Sequence, residues 1–388
     1  MIPYIKRYLK YFDYPLVFTY IALCLFGLVM IYSASMGWAV MKYNWEPDAF
    51  FNDQKRNLLV AFPVFLLAAF FPYKHYKSKF MMQLMLVVMF ILLFLVHIIG
   101  VGGESGSQSW INLGFGNLQP SEVAKIVIVL YFAGVFTKKY ENGTLDKLNE
   151  SVGPPLLVLF FVFVSIMMET DVGNTMIISF VAISVIAASG IKFKSFAKII
   201  GLIGMVISMG LFAIYIMKDQ LITEKRLGRL QAFFNPFDDE LGFGFQVVNG
   251  YIAIGAGGLK GLGLGNSNQK FGYLPEPHTD FIMAIIAEEL GILGVLFVLC
   301  GLFFIVFKAF SIALATKDPQ ARMIAAGIGS IIGFQTFVNL GGMTGIIPLT
   351  GVPLPFISYG GTSVILLSVA MGILLNVSMF VKIEKTKG

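Results

Sequence analysis

Residues Leu264–Leu290 read LGNSNQKFGYLPEPHTDFIMAIIAEEL. The first half is a polar, glycine-containing loop that passes through Tyr273, Leu274, Pro275, Glu276, Pro277, His278 and Thr279, and the second half opens a long apolar run. Asp280 stands at the join. A join of this kind fits a membrane helix entered from an aqueous loop, so one carboxylate is expected where water gives way to lipid. Pro275 and Pro277 each fix their own φ and restrict the residue before them, which stiffens the loop just ahead of Asp280.

The rest of the chain supports a membrane setting. Its 388 residues are 57% hydrophobic and 13% charged, with a mean hydropathy of +0.81, whereas soluble domains average roughly 25% charged. Cys24 and Cys300 both lie in apolar runs, which points to neither a disulfide framework nor a thiolate metal site. With only His75, His97 and His278, a histidine metal cage is not expected. The net charge of +6 matters less than its distribution, and no nucleic-acid partner is expected.

Ten apolar segments are able to cross about 30 Å of hydrocarbon: Tyr14–Ser33, Asn57–Phe71, Phe80–Ile99, Ser121–Phe136, Pro155–Met168, Asn174–Ala188, Phe196–Met217, Phe281–Phe307, Ala321–Asn339 and Ser363–Val381. The fold expected is an all-α integral membrane protein, a single polytopic domain over 1–388. The first span follows Lys6, Arg7 and Lys10 but lacks a small-residue cleavage site, so it is expected to be retained. Basic residues set the orientation. Placing the N-terminus in the cytoplasm puts three basic residues in each inner segment, such as Lys74, Lys77 and Lys79, or Lys192, Lys194 and Lys198. Both termini are then cytoplasmic. The glycosylation-like patterns at Asn142 and Asn149 fall in an inner loop and are read as chance.

This orientation gathers the unusual polar stretches on the outer face: 100–120, 169–173, a large extracellular loop over 218–280, and a Gly/Pro-rich loop over 340–362. Within the large loop, Leu221–Phe234 interleaves Lys225, Arg226 and Arg229 with apolar residues. This segment and Gln246–Leu259 are expected to lie in the headgroup layer, as anchors or as phosphate contacts. An arginine fork suits a lipid diphosphate. The glycines from Gly255 to Gly265 have no strand–turn–helix context for nucleotide binding, and read as close backbone packing or a mobile loop. Glycines and prolines at membrane depth imply non-helical backbone covered by protein or a wet cavity, so 340–362 is expected to be re-entrant.

Charges inside spans are costly and call for partners. Glu122 and Lys125 share one helical face and are expected to pair, either as a packing lock or as part of a cavity lining. Glu288 lies about 12 Å deeper than Asp280 at the helical rise and is expected to flank the same cavity, with Glu289 pointing elsewhere. Asp280 itself has two readings. It caps or balances a helix N-terminus, or it is a general base beside a phosphate-binding surface. His278 reads as a hydrogen-bonding prop, and Glu276 as a neighbour that adjusts the Asp280 carboxyl.

Three motifs carry a resemblance: Lys270–Leu290, Trp110–Lys125 (WINLGFGNLQPSEVAK) and Gly345–Ser363 (GIIPLTGVPLPFISYGGTS). In their order along the chain, and over nearly its whole length, they resemble the SEDS family, of the FtsW/RodA/SpoVE type. The resemblance implies a peptidoglycan glycosyltransferase that joins lipid II into β-1,4 glycan strands on the outer face of the bacterial cytoplasmic membrane, beside a class B penicillin-binding transpeptidase and other divisome membrane proteins. It implies that Asp280 is the catalytic residue, that Glu122 and Lys125 fill the QPSE-x-x-K motif, and that Arg226 and Arg229 precede the NPF motif. Lys270, Glu276, His278, Ser358 and Tyr359 are then candidate substrate contacts. Where relatives have Pro-Asp-x-Gly-Thr, this chain has Thr170-Asp171-Val172-Gly173-Asn174, which leaves Asp171 a weaker candidate. Tyr32-Ser33-Ala34-Ser35 and the 348–363 loop lean toward the division branch, hence the septum, over the elongation branch. No resident cofactor or metal is expected, though a divalent cation accompanying the diphosphate is compatible. A lipid II flippase is the competing class, since ten spans and a re-entrant loop suit translocation equally.

Overall fold

In the computed structural model, the structure describes residues 10–102, 109–112, 114, 116–146, 153–169, 171–216, 228, 231–238 and 242–387. The described chain is helical: α1 (Tyr14–Tyr43), α2 (Ala49–Phe70), α3 (Lys79–Ile99), α4 (Pro120–Glu141), α5 (Gly153–Met168), α6 (Val172–Ala188), α7 (Phe193–Ile216), α8 (Phe243–Gly257), α9 (Ile282–Ala315), α10 (Pro319–Met343) and α11 (Thr362–Lys387). One two-stranded hairpin, β1 (Ile111–Asn112) with β2 (Asn117–Leu118), precedes α4. Among the described residues, six helices are long and apolar enough to cross a membrane: α1, α3, α4, α9, α10 and α11. Helix starts follow local chemistry. The Asp318 side chain accepts from Gln320 N and Ala321 N at the head of α10, Ser78 accepts from Met81 N at α3, and Asp171 accepts from Asn174 N at α6.

Each apolar segment read from the sequence falls on one helix, and the largest differences lie at the outer ends of the first two. Helix α1 runs ten residues past Ser33, and α2 starts at Ala49 rather than Asn57. Hydropathy marks where polarity begins, while backbone hydrogen bonding continues beyond it. Lys55 and Arg56 therefore lie on α2, not in a loop.

Two departures from regular helix shape the interior. Gly291 has φ 61° and ψ −153°, which breaks α9. The carbonyls of Glu288 and Glu289 accept instead from Leu262 N and Gly263 N, both at 2.9 Å, and Ile292 N donates to Leu259 O at 3.3 Å. The strap 259–263 thus completes the hydrogen bonding that the break interrupts. A side chain at Gly261 would overlap the Glu289 carbonyl, so the glycine run is close backbone packing. Helix α8 covers most of the Gln246–Leu259 stretch expected in the headgroup layer. One face packs on α9, with Gly250 under the Phe281 ring and Gly257 against the Ala287 backbone, an approach that only small residues permit.

The second departure is 344–361, which dips between α1 and α10. A Cβ on Gly27 would lie 2.6 Å from Phe356 O and 2.8 Å from Ile357 Cα. Gly27 is about 20 Å along α1 at ~1.5 Å per residue, so the dip reaches well inside the bundle. Gln335 Nε2 donates to Pro353 O at 3.0 Å and Asn339 Nδ2 to Val352 O at 2.8 Å, which satisfies carbonyls that lipid could not. The first residues of the expected loop, 340–343, are the last turn of α10.

Candidate active site

Asp280 sits half-buried, two residues before α9 begins. Phe281 occupies the capping position, so the capping reading of Asp280 does not hold. Glu276 takes a left-handed conformation, φ 43°, between Pro275 and Pro277, and Thr279 N closes the turn onto Glu276 O at 3.1 Å. Thr279 Oγ1 lies 2.9 Å from Glu276 O, 3.3 Å from Glu276 Oε2 and 3.0 Å from Asp280 Oδ1. A single hydroxyl proton serves three acceptors, coupling the two carboxylates. The Asp280 carbonyl accepts from Asn339 Nδ2 at 2.9 Å, and the same amide donates to Val352 O. One side chain of α10 therefore ties the Asp280 loop to the dip.

His278 is 3% exposed, wedged against Phe50 (ring centroids 4.1 Å apart) and Tyr359 (5.5 Å), and its carbonyl accepts from Tyr359 N at 2.9 Å. It is a prop for the loop, and burial removes it from the expected substrate contacts. Ser358 is also buried, its Oγ accepting from Leu354 N at 2.8 Å inside the dip. Tyr359 is half-buried, and burial, reinforced by the Asp53 carboxylate, pushes its phenol up to about 12, so it stays neutral.

Lys270, expected to meet the diphosphate, has no exposure at all. Its Nζ pairs with Glu289 Oε1 at 2.9 Å, donates to Gly265 O at 2.7 Å, and lies 3.3 Å from Ser33 Oγ of α1. Glu289 points away from Asp280, as expected: Ser33 Oγ also donates to it at 2.7 Å. Glu288 does not flank the Asp280 cavity. It accepts from Ser267 Oγ and from Asn268 N at 2.9 Å, holding the loop ahead of the Asp280 turn. Both glutamates work on that loop, because the break in α9 lets it approach them.

Glu122 and Lys125 pair at 2.7 Å, each 1% exposed. Lys125 Nζ also donates to Gln335 Oε1 at 2.8 Å, and Ser363 Oγ to Glu122 Oε2 at 3.2 Å, so the pair joins α4, α10 and α11. Asp171 caps α6 and accepts from Gln119 Nε2 at 2.9 Å and Asn174 Nδ2 at 2.8 Å. Arg226 and Arg229 lie outside the described residues. Among the described residues, no three His, Cys, Asp or Glu side chains converge as a metal site would require.

An acid at the head of a broken helix, a buried Glu–Lys pair and a Gly/Pro dip sit on one bundle. The family model described as "Cell cycle protein", which joins the FtsW, RodA and SpoVE proteins, matches residues 14–383. The chain belongs to the FtsW/RodA/SpoVE family. It is 45% identical over 384 residues, 99% of this chain and 94% of the other, to a Bacillus subtilis protein named "Probable peptidoglycan glycosyltransferase FtsW". It is 37% identical to the stage V sporulation protein E of the same organism, covering 95% and 97%. A solved structure described as "Structural coordination of polymerization and crosslinking by a peptidoglycan synthase complex" matches with a TM-score of 0.74 at 27% identity, covering 95% and 97%. The rod shape determining protein RodA of Thermus thermophilus matches at 0.63 and 24% identity, which speaks to the fold alone.

In this FtsW/RodA/SpoVE chain, sequence reading missed four contributors. Gln335 and Asn339 are amides four apart on an apolar helix, a signal that was available. Ser33 gave none, since its partner is far away in the chain. Glu169, in the turn between α5 and α6, is 3% exposed, and neither carboxylate oxygen finds a hydrogen-bond partner among the described residues. Burial, with the Asp171 charge adding to it, pushes its carboxyl from the ordinary 4.5 up to about 8.

Proposed function

We propose that this FtsW/RodA/SpoVE-family chain is a peptidoglycan glycosyltransferase that polymerises lipid II at the outer face of the cytoplasmic membrane, with Asp280 as its base. The observation that carries the reading is the position of the Asp280 carboxylate. It is half-exposed at the head of α9, aimed by a proline-framed turn and anchored through Asn339. The acceptor sugar presents its 4-hydroxyl, Asp280 takes the proton, and the hydroxyl oxygen bonds to the anomeric carbon of the lipid-linked donor strand. The bond from that carbon to the diphosphate breaks, and undecaprenyl diphosphate leaves. An α-linked donor becomes a β-1,4 product in one inverting displacement. The Thr279 hydroxyl, 3.0 Å from Asp280 Oδ1 and 3.3 Å from Glu276 Oε2, holds the two carboxylates side by side.

Arg226 and Arg229 neutralise the departing diphosphate, together with a divalent cation where one accompanies it. All ten long apolar segments span the bilayer, with both termini cytoplasmic, 218–280 outside, and 340–362 re-entrant from the outer face. The chain acts at the division septum beside a crosslinking transpeptidase of the class B penicillin-binding type. Support for the partner comes from the structural neighbour, itself a complex of polymerization and crosslinking.

A flippase reading would draw on the broken α9, because transporters use discontinuous helices to bind cargo. Here the freed carbonyls are taken by Leu262 and Gly263, so they do not face a pathway. The test is purified full-length protein with lipid II in detergent, where sidedness is lost. Wild type makes polymer, and Asp280→Asn or Asp280→Ala lowers the rate by roughly 10²–10⁴-fold, the usual worth of a general base. Polymer formation by either variant at the wild-type rate overturns the assignment, and transfer of labelled lipid across liposomes without polymer favours the flippase.

A further inference from the structure

An aromatic cluster runs from the half-exposed Trp45 to the buried His278 of the Asp280 loop. Helix α1 ends at Asn44 in a left-handed conformation, φ 53°, and Trp45 N then donates back to Ala39 O at 3.0 Å. This turn folds Trp45 over Tyr43, with ring centroids 4.7 Å apart and planes within 22° of parallel. Trp45 also meets Phe50 at 5.7 Å, and Phe50 meets His278 at 4.1 Å and Tyr359 at 5.2 Å. His278 is two residues from Asp280. Phe50 and His278 are buried, but Trp45 is 50% exposed. A half-exposed indole thus stands at one end of a continuous run of ring contacts whose other end props the candidate base.

We infer that Trp45, backed by Tyr43, is a saccharide-binding platform for the glycan strand whose end reacts at Asp280. A pyranose ring presents a face of polarised C–H bonds that stacks on the electron-rich indole face, and a ring already stacked from behind loses little freedom on binding. The occupant is an N-acetylated hexosamine strand, because the cluster is continuous with the loop that carries the sugar-activating acid. This rests on the glycosyltransferase reading. A tryptophan near a membrane surface also serves as an interfacial anchor, and the test separates the two roles.

The full chain in nanodiscs of phosphatidylethanolamine and phosphatidylglycerol is titrated with a fluorescent soluble tetrasaccharide of alternating N-acetylglucosamine and N-acetylmuramic acid, with binding read by anisotropy. Trp45→Leu keeps an apolar anchor but removes the ring face, and is expected to weaken binding roughly five-fold, the scale of one lost aromatic contact. Trp45→Phe keeps a ring and stays within about two-fold of wild type. The mean strand length made from lipid II falls in Trp45→Leu and recovers in Trp45→Phe. Tetrasaccharide binding and strand lengths that are equal in wild type and Trp45→Leu, or no tetrasaccharide binding by wild type, overturn the platform. Binding is read without turnover, so failure of Asp280 variants to lose polymerisation would overturn the catalytic reading separately.

Discussion

At the scale of single residues, burial sets the behaviour. Glu169 keeps its proton in the native state up to about pH 8, whereas an exposed glutamate ionises near 4.5. The native state therefore binds more protons across that window, and stability falls as pH rises through it. Glu169→Gln removes the penalty. In thermal unfolding of the purified protein, its advantage over wild type should be absent near pH 4, grow up to about pH 8 and then level off, reaching on the order of 5 kcal/mol at ~1.4 kcal/mol per unit. A pH-independent difference would contradict the buried carboxyl. The Glu122–Lys125 pair makes a different prediction. Lys125→Met leaves a buried carboxylate uncompensated and should cost about 3–5 kcal/mol, whereas removing both charges in Glu122→Leu/Lys125→Met should cost less than that. A double-mutant cycle on folded yield and melting temperature measures the difference.

At the scale of elements, the active-site turn is held by what packs around it. Asn339 is one side chain with two carbonyl partners, Asp280 O and Val352 O. Asn339→Ala strands both inside the protein at about 1–3 kcal/mol each, and should lower lipid II polymerisation by loosening the turn, even where protein levels are normal. Wild-type polymerisation with normal folding would remove Asn339 from the anchoring role. Along α8, a methyl at Gly257 runs into the Ala287 carbonyl. Gly257→Ala should destabilise by about 1–3 kcal/mol, detectable as a lower melting temperature, while Gly255→Ala, which meets nothing within 4 Å, should not. The contrast between two glycines of one helix isolates packing from flexibility.

For the whole molecule, hydropathy marked ten apolar segments that each fall on a helix, because a span needs a long apolar run and few sequences supply one by chance. It was poor at their ends: α1 carries Ser35, Gly37 and Lys42 in helical conformation well past the point where polarity begins. Asp280 and the Glu122–Lys125 pair were legible, since a charge beside or inside an apolar run stands out and the pair's spacing is local. Lys270 was misread because its partner Glu289 reaches it only through the break at Gly291, a three-dimensional event with no local signature. Glu288 was misread for the same reason. The division assignment is a property of the whole chain, and complementation reads it directly. Expression should restore septation to a division-defective strain and leave an elongation-defective strain unrescued, and the reverse result would move the chain to the other branch.

The strap across α9 also bears on biogenesis. A helix that stops at Gly291 exposes two acceptors that the hydrocarbon interior cannot satisfy, so the inner half of α9 has no stable berth without residues 259–263. Those residues precede the break in the chain, and the ribosome delivers them first. By the time Gly291 is synthesised, the strap residues that complete its helix are already in the chain.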